Sequence, residues 1–179
     1  TIINNNTSKS DKKKVLIGLP LQLSGAVELI NILTSIANRR KDLIFYVKPH
    51  PMMKKSIVLD LLKGVKWPEY ETSIAEGSMD EWIWNVDLLI SIASASVLDA
   101  LVAGKPVLIV GREGVLDLNP VDWIESDHTK VYYGEKNIEN RMDELLFMDV
   151  NKITSLREFG RKIMIGCFNK VTDENLKVF

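Results

Sequence analysis

Short apolar runs alternate along the chain with longer segments whose apolar residues recur every three or four positions. Continuous apolar runs are typical of strands buried on both faces, as in parallel sheets. The clear runs are 15–19, 43–47, 87–91 and 106–110, and weaker extended stretches occur at 71–75 and 130–133. The alternation predicts an α/β protein with a Rossmann-like, doubly wound parallel sheet of five or six strands and helices on both faces.

The segments between these runs have the 3.6-residue period of helices with one buried face. The predicted helices are 23–37, 52–63, a short one after Ser78 that runs through Trp84, 94–103, 137–148 and 152–169. Ser78 and Glu81 have the spacing of a capping box. Gly64 and Gly104 stand where a helix would end in a left-handed residue. The last two helices close the chain.

Two strand orders fit this pattern. Six strands would follow the order 3-2-1-4-5-6, and a flavodoxin-like sheet of five strands is the alternative. Ligands of such sheets bind beyond the carboxyl ends of the strands, where the order reverses. With six strands this crevice lies between the first and fourth, and the loops expected to line it are 19–25, 49–51, 92–96 and 111–118.

The length of 179 residues suits a single domain. We interpret residues 1–14 as a polar linker or the edge of a piece cut from a longer protein, and 15–179 as a single Rossmann-like domain. The net charge of −1 argues against a broad basic surface for nucleic acid, and no apolar stretch reaches the length of a membrane span. The single cysteine, Cys167, excludes an internal disulfide and favours a reducing, cytoplasmic compartment.

Several common chemistries are disfavoured by missing motifs. The loop from Gly18 to Gly25 lacks the G-x-G-x-x-G spacing and places Pro20 in the tight turn, which argues against NAD or FAD. A P-loop and a G-x-S-x-G elbow are also absent from the sequence. His50 and His128 with one cysteine make a poor zinc set unless carboxylates help. We therefore expect no metal and no cofactor, and we assign no catalytic residue.

A turn of small hydroxyl-bearing residues, Ser94-Ala95-Ser96, joins the strand 87–91 to its following helix. Unpaired N–H groups at a helix start attract anions, and two serine hydroxyls add donors while Ala95 lets a phosphate approach the backbone. The alternative is that one serine caps the helix and the other packs. One turn later, Asp99 could accept hydrogen bonds from the ribose hydroxyls of the same nucleotide, or it could be an ordinary exposed carboxylate.

His50 follows the second strand between two prolines, in the run Lys48-Pro49-His50-Pro51. The prolines restrict the backbone and fix the direction of the imidazole, which could donate to a phosphate. The alternative is a turn histidine that bonds a neighbouring carbonyl. Lys48 either reaches the crevice or is a solvated residue at the strand end. Trp82 and Trp84 cannot share a helix face, and packing is the simpler role for them.

Taken together, these motifs resemble the C-terminal, nucleotide-sugar-binding half of a GT-B glycosyltransferase. The resemblance covers residues 15–110. It includes Asp99, an acidic residue five positions before the run Gly104-Lys105-Pro106-Val107. The His-Pro and serine-rich motifs are most similar to those of bacterial capsule and sialic-acid transferases. CDP-glycerol-type polymerases and non-hydrolysing UDP-sugar epimerases have related halves.

The resemblance implies a function for each motif. His50, Ser94 and Ser96 would hold the phosphate of a CMP-, CDP- or UDP-linked sugar, and Asp99 would hold the ribose. Independently of the resemblance, the predicted crevice loops contain Gly25, which would permit close approach of phosphate or sugar, and Arg112 and Glu113, which would contact sugar or base. The acceptor site belongs to the N-terminal half in this family, so we expect donor binding here and a partner domain elsewhere. The alternatives are half of a UDP-sugar epimerase-like enzyme or of a CDP-glycerol-type transferase, and a non-catalytic interaction module.

Overall fold

The computed structural model describes residues 12–92, 94–115, 121, 123–124 and 126–168. Within these residues one sheet is formed by β1 (Lys13–Gly18), β2 (Leu43–Lys48), β3 (Leu88–Ser91), β4 (Val107–Val110) and β5 (Val131–Tyr132). All pairings are parallel, in the order β2-β1-β3-β4-β5. The predicted α/β class with a parallel sheet is confirmed.

Helices cover both faces of the sheet. In the described residues they are α1 (Leu23–Arg39), α2 (Lys55–Gly64), α3 (Met79–Asn85), α4 (Ser96–Val102), α5 (Glu135–Leu146) and α6 (Val150–Cys167). One core contains buried residues of α1, α2 and α5, and the other contains those of α3, α4 and α6. The strands contribute to both cores: Val15 and Ile17 of β1 enter the first, and Leu16 between them enters the second. Burial on both faces explains why the strands are continuously apolar.

The prediction of a third strand at 71–75 is wrong, although this segment does lie beside β2 as predicted. It pairs with β2 through one parallel bridge, between Ile74 and Val47. The preceding residues fold into a turn instead, in which Ser73 Oγ lies 2.9 Å from the carbonyl oxygen of Glu69. The sheet therefore has the five-strand, flavodoxin-like order. The bridge at Ile74 lies on the outer side of β2, which is the position of the third strand in the six-strand order.

Several element boundaries differ from the prediction. β1 includes Lys13 and Lys14, which the sequence analysis assigned to the linker. The helix predicted at 52–63 begins at Lys55, the one predicted at 94–103 is shorter at both ends, and the two closing helices each begin two residues earlier. Residues 1–11 and 169–179 lie outside the described residues.

The predicted helix ends are partly confirmed. Ser78 and Glu81 form the expected capping box at the start of α3, and Gly104 has a positive φ of 67° after α4. Gly64 does not adopt the left-handed conformation; Lys66 does, with φ 58°. The turn that contains Lys66 leads Trp67 into the core beside Phe45, with the two rings edge to face at 6.2 Å. Burial of this indole outweighs the cost of a left-handed lysine.

Candidate functional site

The carboxyl ends of β1 and β3 meet at the point where the strand order reverses. Ser91, the last residue of β3, is fully buried, and its Oγ lies 3.1 Å from the carbonyl oxygen of Gly18. This contact fixes the ends of the two strands relative to each other. The sequence analysis did not single out Ser91, although a hydroxyl at the end of an apolar run was the available signal. The strand order therefore reverses between the first and fourth predicted strands, as expected.

Ser94 and Ser96 are brought together directly after β3. Their Oγ atoms lie 2.9 Å apart, and the N–H of Ser96 lies 3.4 Å from Ser94 Oγ. Ala95 is the N-cap residue of α4, and no side chain donates or accepts a capping hydrogen bond there. The bond from the Ser96 N–H to Ser94 Oγ nevertheless satisfies one donor of the first turn, as the serine-cap alternative expects, so both interpretations of this turn stay open. The hydroxyls form a pair, with Ser96 buried and Ser94 half-buried.

His50 lies after β2 in a tight turn. Its Nδ1 accepts a hydrogen bond from the N–H of Met52 at 3.2 Å, and its carbonyl accepts from the N–H of Met53 at 2.8 Å. Because Nδ1 accepts, the proton of the neutral ring is on Nε2. The partner of the ring is thus a backbone N–H and not the carbonyl that the alternative required. Nε2 is left as a donor that an anion could use.

Lys48 has neither of its two predicted roles. Its Nζ donates to the carbonyl of Ala75 at 3.2 Å and to the carbonyl of Gly77. Burial lowers the pKa of this ammonium, and the carboxylates of Glu81 and Glu76 oppose that effect. Lys48 therefore tethers the chain between the bridge at Ile74 and the start of α3, and it is not a crevice residue.

Asp99 lies on α4 one turn after Ser96 and is exposed. The Asp99 carboxyl is partly screened from water by its neighbours, and this partial burial raises its pKa. The nearby carboxylate of Asp80 raises the pKa further. The sequence analysis did not predict this pairing, because it depends on how α3 packs against α4. A ligand that donates hydrogen bonds to Asp99 would offset the repulsion between the two carboxylates.

Arg112 and Gly25 contact each other, and this bears on the role expected for Gly25. Gly25 lies in the first turn of α1 and is buried. A Cβ built on it would lie 3.1 Å from Pro20 Cγ and 3.4 Å from Arg112 Nη1. Pro20 and Arg112 therefore flank the α-carbon of Gly25, so a ligand at Gly25 would also meet these side chains, and its approach there stays a prediction.

Glu113 and the two tryptophans lie around the site rather than in it. Glu113 is exposed and lines an open groove of about 750 Å³ together with Leu23 and Val27 of α1. Trp82 packs on Tyr46 with ring centroids 4.7 Å apart, and its indole N–H donates to the carbonyl of Glu76. Trp84 is 66% exposed. The carbonyl of Trp84 accepts a hydrogen bond from Nζ of Lys105, which precedes β4. This end of α3 therefore lies near the amino ends of the strands, away from the carboxyl ends where the candidate site lies.

The predicted phosphate-binding residues lie at one edge of the sheet. His50 and Ser94 follow β2 and β3, the two neighbours of β1, so the ends of those strands are about 10 Å apart. The end of β1 lies between them. Ala93 and residues 116–118, which belong to the predicted crevice loops, lie outside the described residues. The structure places these residues at this edge, and their roles in binding remain predictions.

The amino-acid sequence matches no protein-family model and no curated protein. Solved structures do match it. The chain is similar to Staphylococcus aureus MnaA bound to UDP, with a TM-score of 0.53, 15% identity, and coverage of 89% of this chain and 45% of that one. A Listeria monocytogenes protein described as a UDP-N-acetylglucosamine 2-epimerase gives a TM-score of 0.53 and 15% identity, covering 84% of this chain and 39% of that one.

A further match is the wall teichoic acid polymerase TagF with CDPG, with a TM-score of 0.50, 15% identity, and coverage of 87% of this chain and 37% of that one. The likeness is one of fold. A UDP-sugar epimerase and a polymerase are among the kinds of enzyme that the sequence resemblance indicated. The chain spans less than half the length of each structure.

No helix in the described part of the chain is both long and apolar enough to cross a membrane. In the same part of the chain, no three or more histidine, cysteine or acidic side chains cluster as metal ligands. The candidate site contains hydroxyls, one imidazole, one guanidinium and a carboxylate.

Proposed function

We propose that this chain is the donor-binding domain of a glycosyltransferase that makes surface polysaccharide. It binds the phosphate and ribose of a nucleotide-activated sugar at the carboxyl edge of its sheet. The observation that carries the proposal is the pair of Ser94 and Ser96 hydroxyls, 2.9 Å apart, across the end of β1 from a histidine whose Nε2 is a donor. The neighbours that hold UDP or CDPG support the choice of ligand.

The chemistry of each residue fits this role. Ser94, Ser96 and the exposed backbone at Ala95 donate to phosphate oxygens, and His50 donates from Nε2. In glycosyl transfer, negative charge develops on the leaving phosphate, so the same donors stabilise the transition state as the sugar departs. Asp99 accepts hydrogen bonds from the ribose hydroxyls. Glu113, at the rim, contacts the sugar or base.

In this proposal the acceptor binds to a second domain. The chain covers 37–45% of the three structures described above, and the donor half alone has no assigned catalytic residue. The domain by itself therefore binds nucleotide without transferring sugar. We also propose a cytoplasmic location, which the lone Cys167 supports because it forms no internal disulfide.

Calorimetric titration of the folded protein with CMP, CDP and UDP tests the proposal. We expect micromolar to millimolar binding of at least one nucleotide, and Ser94→Ala with Ser96→Ala should weaken it about tenfold or more, because hydrogen bonds to a charged group are lost. Ser155→Ala is the matched control, since this serine lies on α6 away from the site. Absence of binding to all three nucleotides by a protein shown to be folded would contradict the proposal.

An epimerase-like half is the second candidate, and the Listeria match favours it. It predicts a preference for uridine and conversion of a UDP-sugar to its epimer by the full-length protein. Transfer of sugar to an acceptor, without epimer formation, would exclude this candidate. A partner interaction that survives Ala substitution of Ser94, Ser96 and His50, together with no nucleotide binding, would instead indicate a non-catalytic module.

A further inference from the structure

A cavity of about 440 Å³ lies between helices α5 and α6. Residues 147–149 link these helices into a hairpin, and the segment 126–128, which leads into β5, completes the wall. Because this segment precedes β5, the cavity lies toward the amino ends of the strands, away from the candidate nucleotide site. Its volume is within the range of about 300–1,000 Å³ that small-molecule sites occupy. We call it the hairpin cavity, and the proposed function makes no use of it.

The more buried part of the hairpin cavity combines apolar and neutral polar groups. Leu145 is buried and Phe159 is half-buried. The ring of His128 lies against Phe159, with centroids 5.2 Å apart, and its Nε2 lies 3.4 Å from Ser155 Oγ. Burial and the cation of Arg141 lower the pKa of His128, so the imidazole is neutral at pH 7. This part of the wall therefore offers an aromatic ring, a neutral imidazole and a hydroxyl.

The rest of the wall carries three cations and three carboxylates, so it has no net charge at pH 7. One pair is internal to the wall, since Nη1 of Arg141 donates to Glu144 at 2.8 Å. Among the described residues, the other four charged groups form no ion pair. Their capacity to form hydrogen bonds is therefore available to a ligand. The six charged residues are Arg141, Lys152, Lys162, Asp127, Glu144 and Glu158.

We propose that the hairpin cavity binds a neutral saccharide. Each sugar hydroxyl both donates and accepts hydrogen bonds, so it uses ammonium donors and carboxylate acceptors in the same cavity. The weakly positive C–H groups on the face of a sugar ring pack on the negative face of an aromatic ring such as that of Phe159. This site is separate from the nucleotide site of the proposed function: it would hold a sugar unit of the polysaccharide, and either site can exist without the other.

The balance of charge distinguishes a neutral saccharide from other small ligands. An anion would gain attraction from the three cations but would be repelled by the three carboxylates, and it would lose its own hydration. A cation meets the same balance with the signs reversed. An apolar ligand would cover charged groups without replacing their hydrogen bonds to water. Because hydroxyls replace those bonds without adding charge, a neutral sugar should bind more tightly than its charged analogue.

An NMR titration of the isotope-labelled protein tests this inference with two neutral disaccharides, maltose and diacetylchitobiose. Glucose and glucuronate are a further pair of ligands that differ by one carboxylate. The double substitution Glu158→Leu with Lys162→Met removes one charge of each sign and leaves the net charge of the wall unchanged. Arg161→Gln, at an exposed position of α6 outside the cavity, is the matched control. Circular dichroism confirms that each variant is folded.

We expect saturable shifts of the amides at 126–129 and 152–162 with at least one disaccharide at millimolar concentration, and no shifts at His50, Ser94 and Ser96. Glucuronate should bind about threefold or more weakly than glucose in the wild type. The double variant should bind the disaccharide about fivefold or more weakly, because two groups that bond its hydroxyls are lost, whereas Arg161→Gln should stay within about twofold of the wild type.

The inference is overturned if no neutral sugar gives saturable shifts in the folded protein, or if the folded double variant binds as well as the wild type. Glucuronate binding as tightly as glucose would also overturn it, and this comparison uses the wild type alone, so it decides the matter even if the double variant folds poorly. Each of these results leaves the proposed function standing, since nucleotide binding is measured separately. Absence of nucleotide binding, in turn, leaves the saccharide site standing.

Discussion

Gly160 of α6 lies directly against the carbonyl oxygen of Leu101 in α4: a Cβ built on Gly160 would be 2.1 Å from that oxygen. The two helices can approach this closely because the glycine has no side chain. α4 leads from the serine pair, so this packing supports the helix that follows Ser94 and Ser96. The site at the sheet edge therefore depends on a contact made two turns farther along the chain.

Gly160→Ala should lower the free energy of unfolding by about 2–3 kcal/mol, because the new methyl group meets backbone atoms that cannot rotate away. Gly166→Ala is the matched control in the same helix, where a Cβ meets open space. It should raise the free energy by up to about 1 kcal/mol through helix propensity. Urea denaturation measures both, and equal effects of the two substitutions would refute this account of the contact.

His128 should make the protein less stable in mild acid. Burial lowers the pKa of its imidazole below 6.5, the cation of Arg141 lowers it further, and Asp127 opposes both. The ring also lies against Phe159, with centroids 5.2 Å apart. Between the folded-state pKa and 6.5, the unfolded chain binds a proton at this ring that the folded protein does not. The free energy of unfolding therefore falls as the pH drops through that window.

Urea denaturation at pH 7.5 and pH 5.5 measures this dependence, and His128→Gln should reduce it because glutamine does not titrate. An NMR titration of the ring gives the pKa directly. A value for His128 at or above 6.5 would show that the burial argument is wrong.

Asp99→Asn should raise the melting temperature at neutral pH and weaken nucleotide binding. Burial and Asp80 raise the pKa of Asp99, so between 3.8 and the folded-state pKa the folded protein binds a proton that the unfolded chain does not. The free energy of unfolding therefore falls as the pH rises through that window. The amide in the Asp99→Asn variant does not titrate, so this decrease does not occur. Asp60→Asn, on the exposed side of α2, is the control for a lost negative charge. A variant that binds nucleotide as well as the wild type would remove Asp99 from the site.

Lys48→Met should lower the free energy of unfolding by about 1–2 kcal/mol, because the carbonyls of Ala75 and Gly77 lose a charged donor. Burial already opposes the charge of Lys48, which limits the loss. Lys63→Met changes an exposed lysine of α2 in the same way and should have little effect. Thermal denaturation of both variants distinguishes a tether from a solvated lysine: similar melting temperatures would indicate the latter.

The fold was predictable because its signals are local. Val15, Leu16 and Ile17 are consecutive and all buried, which occurs when both faces of a parallel strand are covered. Parallel strands require crossovers, and these restrict the possible orders to a few. The stretch 71–75 was harder, because Ser73 bonds within a turn and leaves only Ile74 to pair.

The edge of the sheet was predictable, but the contacts there were not. Ser94 and His50 could be placed by the strands that precede them. The contact of Arg112 with Gly25 joins residues from different loops and depends on a long side chain that reaches across β3. The pairing of Asp99 with Asp80 likewise depends on packing between helices. Sequence periodicity carries no information about either, because both are tertiary contacts.

The most direct measurement of the central claim is an NMR titration of the isotope-labelled protein with CDP and UDP, following the backbone amides. The account predicts saturable shifts at His50, Ser94, Ser96 and Asp99, with the amides around His128 and Phe159 unchanged. Shifts confined to the region of His128, or no shifts at millimolar nucleotide in a folded protein, would contradict it.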